Sequence, residues 1–428
     1  MRNWWQSRFI WIGVALLGLF CSLQSNLIQR IVAGASSEKA RNVVTETKSK
    51  PAQQIGRNTK KRELIDSLWK EVLEKHPHLR LEKETLRPEE DAFAGYDALC
   101  RSMMEDEWES VRAKFKELEE GEFDLVKAES LLLESQGLLE SFEELVRRTG
   151  ATWDSVETGF IDVNPSLVLQ DLSLLKTKVL LLHGESEEAR RSFEVSRLWE
   201  EKLSGTESST LLSESVRILS HLSASRNLRK EIVPLLSAHE FEDWSSLAKP
   251  ADFSPTRLAN VLRGEGTVTI TQLLPAISGE ISEEALVEFV PFYGDFLAER
   301  VRRIESEGHH YFLTEEEEFE PSFNFSHSEA EELFSGISAQ INVWKHNYLR
   351  AWVSSHQQAA AFEVLQREVG GEVYEGVVNI EVDNPILEEG FLFDSTIREM
   401  VVGPEFLSLI EPEQKWMFSA ISIPSLSP

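Results

Sequence analysis

The sequence predicts a mainly α-helical fold: a TPR-like array of helical hairpins that follows an N-terminal transmembrane segment and ends in a small C-terminal β appendage. Three observations point to this class. Apolar residues recur at helical spacing between residues 62 and 370, a long apolar run opens the chain, and β-branched residues concentrate after residue 371. Amphipathic helices bury one apolar stripe, whereas strands favour β-branched side chains. The length of 428 residues suits two or three domains.

Residues 1–33 are predicted to form a signal anchor. Arg2 and Arg8 precede an unbroken apolar run at 9–21, and Trp4 suits the membrane interface. The run matches the length of a signal-peptide core, but no small-residue cleavage site follows it directly. We therefore favour an uncleaved, single-pass anchor in the cell membrane, with the body on the extracytoplasmic side. The alternative is a secreted or periplasmic protein released by cleavage.

Residues 34–62 are predicted to be a disordered basic tether, because they hold few large apolar residues. Charge is divided unevenly along the chain. Residues 1–62 contain 11 Lys/Arg and 2 Asp/Glu, whereas residues 63–428 contain 33 and 71, which is a net charge of −38. A body this acidic repels nucleic acid phosphates, so we expect no nucleic-acid partner.

Residues 63–263 are predicted to form a helical domain, and its most specific local signal is one hairpin. A helix over 167–182 stops at Gly184, and a second helix begins at Ser186. Ala189 is small enough to let the two helices approach, and Phe193 is large enough to fill the groove between them, as in TPR-type hairpins. A shift of about 34 residues, the TPR period, finds no second copy.

Residues 264–370 are predicted to form a second helical region, and residues 371–428 a small β-containing C-terminal region. Gly264–Ser278 is expected to be a turn with a short strand. Pro291 is expected to kink or split the helix that begins at Ser282. A long helix then covers Ser328–Arg367. The candidate strands of the tail lie near 373–382, 391–393 and 400–402.

Several local features run through residues 167–265: a leucine-rich helix, the His183-Gly184-Glu185 turn, Ala189, and an Arg263-Gly264-Glu265 ending. In these features the chain resembles a class of uncharacterised bacterial helical proteins that are exported or membrane-anchored. The Asp-Pro-aromatic turn of that class is matched in part by Asp383-Asn384-Pro385. The resemblance implies no activity, so no functional residue is carried over from it.

No sequence motif for a phosphate loop, a dinucleotide site, a nucleophile elbow or a zinc protease occurs, so we expect no cofactor and identify no catalytic residue. The best metal candidates are His309, His310, Glu316 and His327. Zinc is held by histidine nitrogens and carboxylate oxygens, which these residues supply. We favour a solvated acidic loop at this position over a metal site.

Two functional hypotheses remain open. The favoured one is a non-enzymatic, membrane-anchored protein whose acidic helical ectodomain binds or scaffolds another protein of the cell envelope. The alternative is an exported hydrolase or other enzyme with a site at the junction of the helical body and the β tail, near 306–327 and 373–403. The missing catalytic motifs favour the first hypothesis.

Overall fold

The computed structural model describes residues 51–81, 86–87, 89–103, 105–120, 122–151, 164–204, 210–313, 325–381, 390–409 and 418–426. The predicted signal anchor and the tether up to residue 50 lie outside these residues. The described part is mainly helical and carries a small C-terminal antiparallel sheet, which confirms the predicted class at that level. Within these ranges, no helix has the length and the apolar character needed to cross a membrane.

In chain order, the α-helices are α1 Pro51–Lys75, α2 Ala92–Ser102, α3 Glu105–Glu120, α4 Leu125–Glu134, α5 Gln136–Val146, α6 Asn164–Leu182, α7 Ser186–Ser204, α8 Leu211–Asn227, α9 Ala238–Ser245, α10 Pro255–Val268, α11 Leu274–Ile277, α12 Glu283–Glu307, α13 Ser328–Val369 and α14 Pro404–Ser408. Short 3-10 turns cover Pro77–Leu79, Val233–Leu235, Ser278–Glu280 and Gly308–Phe312, and π-helical turns cover Leu228–Ile232 and Thr269–Leu273.

Several helices begin at side chains that cap their free amide groups. The Asp124 carboxylate accepts from the amides of Val126 and Lys127 at the start of α4. At the start of α9, Ser237 and Glu240 form a reciprocal capping box. Each such cap stabilises its helix by about 1 kcal/mol, because the first amides of a helix have no partner within it.

The chain forms two compact units, each assembled from separate segments. Of the described residues, the first unit contains 51–80, 265–302 and 325–343. Its described core is built from the apolar face of α1, with Ile65, Trp69 and Val72 buried, and from buried side chains of α12 such as Phe289. The ammonium of Lys61 donates to the carbonyls of Ser278 and Ile281, at 2.8 and 2.5 Å.

The second unit contains the described residues that lie within 81–264, 303–313 and 344–426. At its centre, α6 and α7 form the predicted hairpin, which is confirmed. Gly184 has φ +78°, and the amides of Gly184 and Glu185 bond to the carbonyls of Leu181 and Leu180. This C-terminal cap needs a left-handed residue, which glycine provides without strain. Ala189 and Phe193 are completely buried, as their proposed roles require.

The C-terminal sheet also belongs to the second unit. Its strands are β1 Val377–Ile380, β2 Phe391–Asp394, β3 Glu399–Val402 and β4 Ile421–Ser422, antiparallel in that order. Ile380 pairs with Phe391, and Phe391 pairs with Val402, so one apolar face is buried. The Gln357 amide on α13 donates to the carbonyls of Met400 and Ser419, at 2.9 and 3.3 Å, which attaches the sheet to this helix. β4 was not expected from the sequence.

The structure corrects the expected turn and strand over Gly264–Ser278. α10 continues through Gly266 to Val268, and the chain then passes through a π-helical turn into α11. Gly266 lets this helix approach Leu297, where a Cβ atom would collide, and the Thr271 hydroxyl bonds to the Thr267 carbonyl. Helix packing therefore outweighs the β preference of Thr and Val in this segment.

Two further expectations differ from the structure. Residues 51–62, which composition assigns to the tether, form the first half of α1. Pro51 suits a first helical turn, and the Ala, Gln, Lys and Arg residues after it favour helix. α12 is not split at Pro291, which lies inside a continuous helix. The unit border at 264/265 lies one residue from the predicted domain boundary, whereas neither unit has a border near 370.

Candidate functional site

The structure places the predicted metal candidates in different surroundings. His309 and His310 belong to the second unit, His327 belongs to the first, and Glu316 lies outside the described residues. The His309 ring stacks on Trp352 with centroids 4.3 Å apart, and burial lowers the pKa of His309. His310 is exposed beside it. The stacked ring favours a packing role for His309.

His327 lies beside a carboxylate. Its Nδ1 atom lies 3.0 Å from Glu288, which also accepts from the amides of Ser326 and His327. These amide hydrogen bonds lower the pKa of Glu288. Among the residues that the structure describes, no group of three or more His, Cys, Asp and Glu side chains is placed to hold a metal ion. A site that includes Glu316 stays a prediction.

The most concentrated chemistry lies in the core of the second unit, where Glu214 on α8 binds two arginines. Arg217, one turn along α8, donates to both carboxylate oxygens at 2.6 and 2.9 Å. Arg257 on α10 donates to Glu214 at 2.5 to 3.1 Å. Burial opposes the ionisation of Glu214, but the two guanidinium charges outweigh it and lower its pKa to about 2.

Arg217 has further partners besides Glu214. It is completely buried, it donates to the Asp252 carbonyl at 3.0 Å, and its guanidinium lies 4.9 Å from the centre of the Phe253 ring. Burial lowers its pKa, but the Glu214 charge dominates and the net shift is upward. Two arginines and one carboxylate therefore form a charged triad inside the protein, with Arg217 and Glu214 both withdrawn from solvent.

A second polar group adjoins the charged triad on α8. His221 Nδ1 lies 2.8 Å from the Glu200 carboxylate on α7, and His221 Nε2 lies 2.7 Å from the Ser355 hydroxyl on α13. Nδ1 also lies 3.0 Å from Nη1 of Arg197; in the tautomer that carries the proton on Nδ1, the imidazole donates to Glu200 and accepts from the Ser355 hydroxyl. Burial lowers the pKa of His221, and the adjacent positive charges of Arg197 and Arg217 act in the same direction against Glu200.

The contacts connect a carboxylate (Glu200), an imidazole (His221) and a hydroxyl (Ser355), as the acid, base and nucleophile of many hydrolases are connected. All three residues are buried, and the Ser355 oxygen also accepts from the Ala251 amide at 3.1 Å. The group can pass a proton from Ser355 to His221, but it has no contact with solvent. In this conformation it therefore acts as a polar core that ties α7, α8 and α13 together.

One feature of the sequence indicates this polar core. Glu214, Arg217 and His221 stand at positions i, i+3 and i+7 of α8, so three polar side chains share one face of a leucine-rich helix. Such a face is either solvent-exposed or matched by polar partners. Its partners Glu200, Arg257 and Ser355 come from distant parts of the chain, and no local pattern identifies them.

The second unit also carries an exposed apolar stripe on α4. Val126 and Leu133 lie seven residues apart on one face of this helix and are 74% and 73% exposed. The opposite face packs inward through Ala128 and Leu131. His183 lies 2.7 Å from Glu129 of α4, and Leu182, the residue before His183, is 42% exposed. We call Val126, Leu133 and Leu182 the α4 stripe.

Comparison with known proteins finds no match: no family, no curated protein and no solved structure is similar to this chain.

Proposed function

We propose that this protein is a membrane-anchored helical adaptor of the cell envelope that binds a protein partner through the α4 stripe. The observation that carries the proposal is the exposure of Val126 and Leu133 on one helix face. Contiguous exposed apolar surface marks interaction sites, and Val126 and Leu133 lie two turns apart on one face of α4. Leu182 adds a third exposed apolar side chain, next to the His183 that contacts α4.

Burial of Val126 and Leu133 would contribute part of the free energy of binding. A fully buried Val or Leu side chain contributes about 1.5–3 kcal/mol relative to an exposed one. Val126 and Leu133 together therefore supply at most roughly 3–6 kcal/mol, which is about 100-fold or more in affinity. Their partner is an apolar segment of another protein, because exposed apolar side chains gain nothing from contact with a small charged ligand.

The remaining parts of the proposal come from the sequence. The predicted anchor at 1–33 holds the chain in the membrane, and the predicted basic tether after it holds the acidic body off the surface. The α6–α7 hairpin supports a TPR-like array as the architecture of the body, because arrays of this type present helix faces to partners. The acidic charge of the body keeps it soluble and away from nucleic acid.

Chemical crosslinking of the membrane fraction tests this function. The full chain is expressed in its source cell as the wild type, as V126D/L133D, and as V373D, a control at an 81% exposed valine outside the helices. We expect one stoichiometric partner with the wild type and V373D and none with V126D/L133D. A partner that V126D/L133D retains, or the recovery of no partner at all, would contradict the proposal.

Hydrolysis is a second candidate function, and one specific observation favours it. Glu200, His221 and Ser355 are joined by contacts of 2.8 and 2.7 Å, which are distances that nucleophilic catalysis requires. Ser355 also lies two residues from Gln357, whose amide donates to the Met400 carbonyl in the β tail. The group therefore stands near the junction of the helical body and the β tail. Catalysis here requires a conformation in which Ser355 reaches solvent.

A fluorophosphonate probe, which modifies activated serines, decides this point. The full chain is treated as the wild type, as S355A, and as S354A, a control at the neighbouring serine of α13. Labelling of the wild type and S354A, with none of S355A, would support a hydrolase. Absence of labelling from all three proteins would leave the polar group with its structural role alone.

A further inference from the structure

A basic cluster stands where α8 ends and the π-helical turn Leu228–Ile232 begins. It consists of Arg226, Arg229 and Lys230, at positions that share one helix face. Burial, together with the charge of Arg226, lowers the pKa of Arg229 to about 10 and that of Lys230 to about 8. The three side chains are therefore close enough to repel one another.

Arg229 is the rigid member of the basic cluster. It is only 2% exposed, its Nε atom donates to Gln358 at 2.7 Å, and its Nη1 atom donates to the Ser422 carbonyl. Both acceptors are neutral, so they orient the guanidinium without balancing its charge. A buried charge is costly unless an opposite charge accompanies it, and Arg217 shows how this protein meets that need elsewhere.

No carboxylate of the described residues is paired with Arg226 or Arg229. Glu231, the nearest acid along the chain, is 2.7 Å from Lys178. Among the described residues, the charge of Arg229 is therefore not balanced by a carboxylate. π-helical turns are also uncommon and are frequent at functional sites. Two independent features, an unbalanced buried cation and an irregular helix, therefore coincide.

We propose that the basic cluster binds a phosphoryl group, carried either by a small phosphate ester or by a phospholipid headgroup. A phosphoryl group with two negative charges balances several cations better than a carboxylate does. Guanidinium and ammonium groups both donate charge-assisted hydrogen bonds to phosphate oxygens. Arg229 is already oriented, so binding orders few further side chains. This site is distinct from the α4 stripe, and neither proposal depends on the other.

Isothermal titration calorimetry on the detergent-solubilised full chain tests the site. The probes are inorganic phosphate and dihexanoyl phosphatidic acid, with chloride and acetate at matched ionic strength as controls. We expect both phosphoryl probes to bind and the control anions not to bind. At least tenfold tighter binding of phosphatidic acid than of phosphate would identify a lipid headgroup as the ligand, and similar affinities would identify a soluble ester.

Variants and proton uptake make the test specific. R226Q/K230Q should weaken phosphate binding at least tenfold, while K127Q, at an exposed lysine of α4, should leave it unchanged. Phosphate should also raise the pKa of Lys230, so binding at pH 8 should take up about half a proton, measured in buffers of different ionisation enthalpy. Equal heats from phosphate and chloride, wild-type affinity in R226Q/K230Q, or no proton uptake would overturn the proposal.

Discussion

Replacement of Glu214 by glutamine is the most direct perturbation of the charged core. The pKa of Glu214 is lowered from 4.5 to about 2. A shift of that size corresponds to about 3 kcal/mol of stability from its ionised form at neutral pH. An independent consideration agrees, because removing one partner of a buried ion pair costs about 3–5 kcal/mol. E214Q should therefore unfold with a free energy roughly 3 kcal/mol below that of the wild type.

Urea unfolding followed by tryptophan fluorescence measures this difference, since Trp199, Trp244 and Trp352 are all buried in the same unit. The matched control is E242Q, at an exposed glutamate of α9, which should change the unfolding free energy by less than about 0.5 kcal/mol. A loss below about 1 kcal/mol in E214Q would refute the reasoning, because it would mean that Arg217 and Arg257 do not need this carboxylate.

A triple replacement separates the effect of the unpaired charges from the effect of side-chain shape on the free energy of unfolding. E214L/R217M/R257M removes the charged triad as a whole and leaves no guanidinium without a partner. Replacement of buried ion pairs by apolar residues is often neutral or stabilising. We therefore expect the triple variant to be more stable than E214Q. A triple variant less stable than E214Q would show that the shape of the triad, rather than its charge balance, holds α8 and α10 together.

Two further predictions concern pH and backbone conformation. The pKa of His221 is lowered by burial, so the unfolded chain takes up a proton that the folded protein does not, and stability should fall as the pH drops below about 6.5. This decline should be shallower in H221Q than in the wild type in urea titrations between pH 7 and pH 5, and equal slopes would contradict it. Gly184 and Gly137 both have open space around the position of a Cβ atom, but only Gly184 has positive φ. G184A should lose about 1 kcal/mol of unfolding free energy and G137A should gain up to about 1 kcal/mol, and equal effects would contradict the conformational argument.

Local signals explain which parts of the fold could be predicted from the sequence. The α6–α7 hairpin was predicted because Gly184, Ala189 and Phe193 lie within ten residues and act on neighbouring helices. α13 was predicted to within two residues of its end by helical periodicity. Composition alone misassigned 51–62, because a polar segment can form either a tether or a helix. Here it forms a helix, and the Lys61 side chain donates to the Ser278 carbonyl.

Long-range contacts explain what could not be predicted. Ser355 and His221 are separated by 134 residues, and Arg257 and Glu214 by 43 residues. The body contains 71 acidic residues, so no pattern singles out Glu214 as the one that two arginines enclose. The histidines chosen from the sequence were conspicuous because they are adjacent, yet His309 packs on Trp352. Chemistry in this protein depends on which helices pack together, and spacing along the chain does not report that.

Site-specific photo-crosslinking at the α4 stripe tests the central claim most directly. Ser130 is exposed between Val126 and Leu133 on the same face of α4, so a photoreactive residue there lies within the proposed interface. In the source cell, irradiation should give one adduct of constant mass at position 130, and that adduct should disappear when V126D/L133D is added. The same adduct from a photoreactive residue at position 373, or its persistence in V126D/L133D, would contradict the claim that this protein works through the α4 stripe.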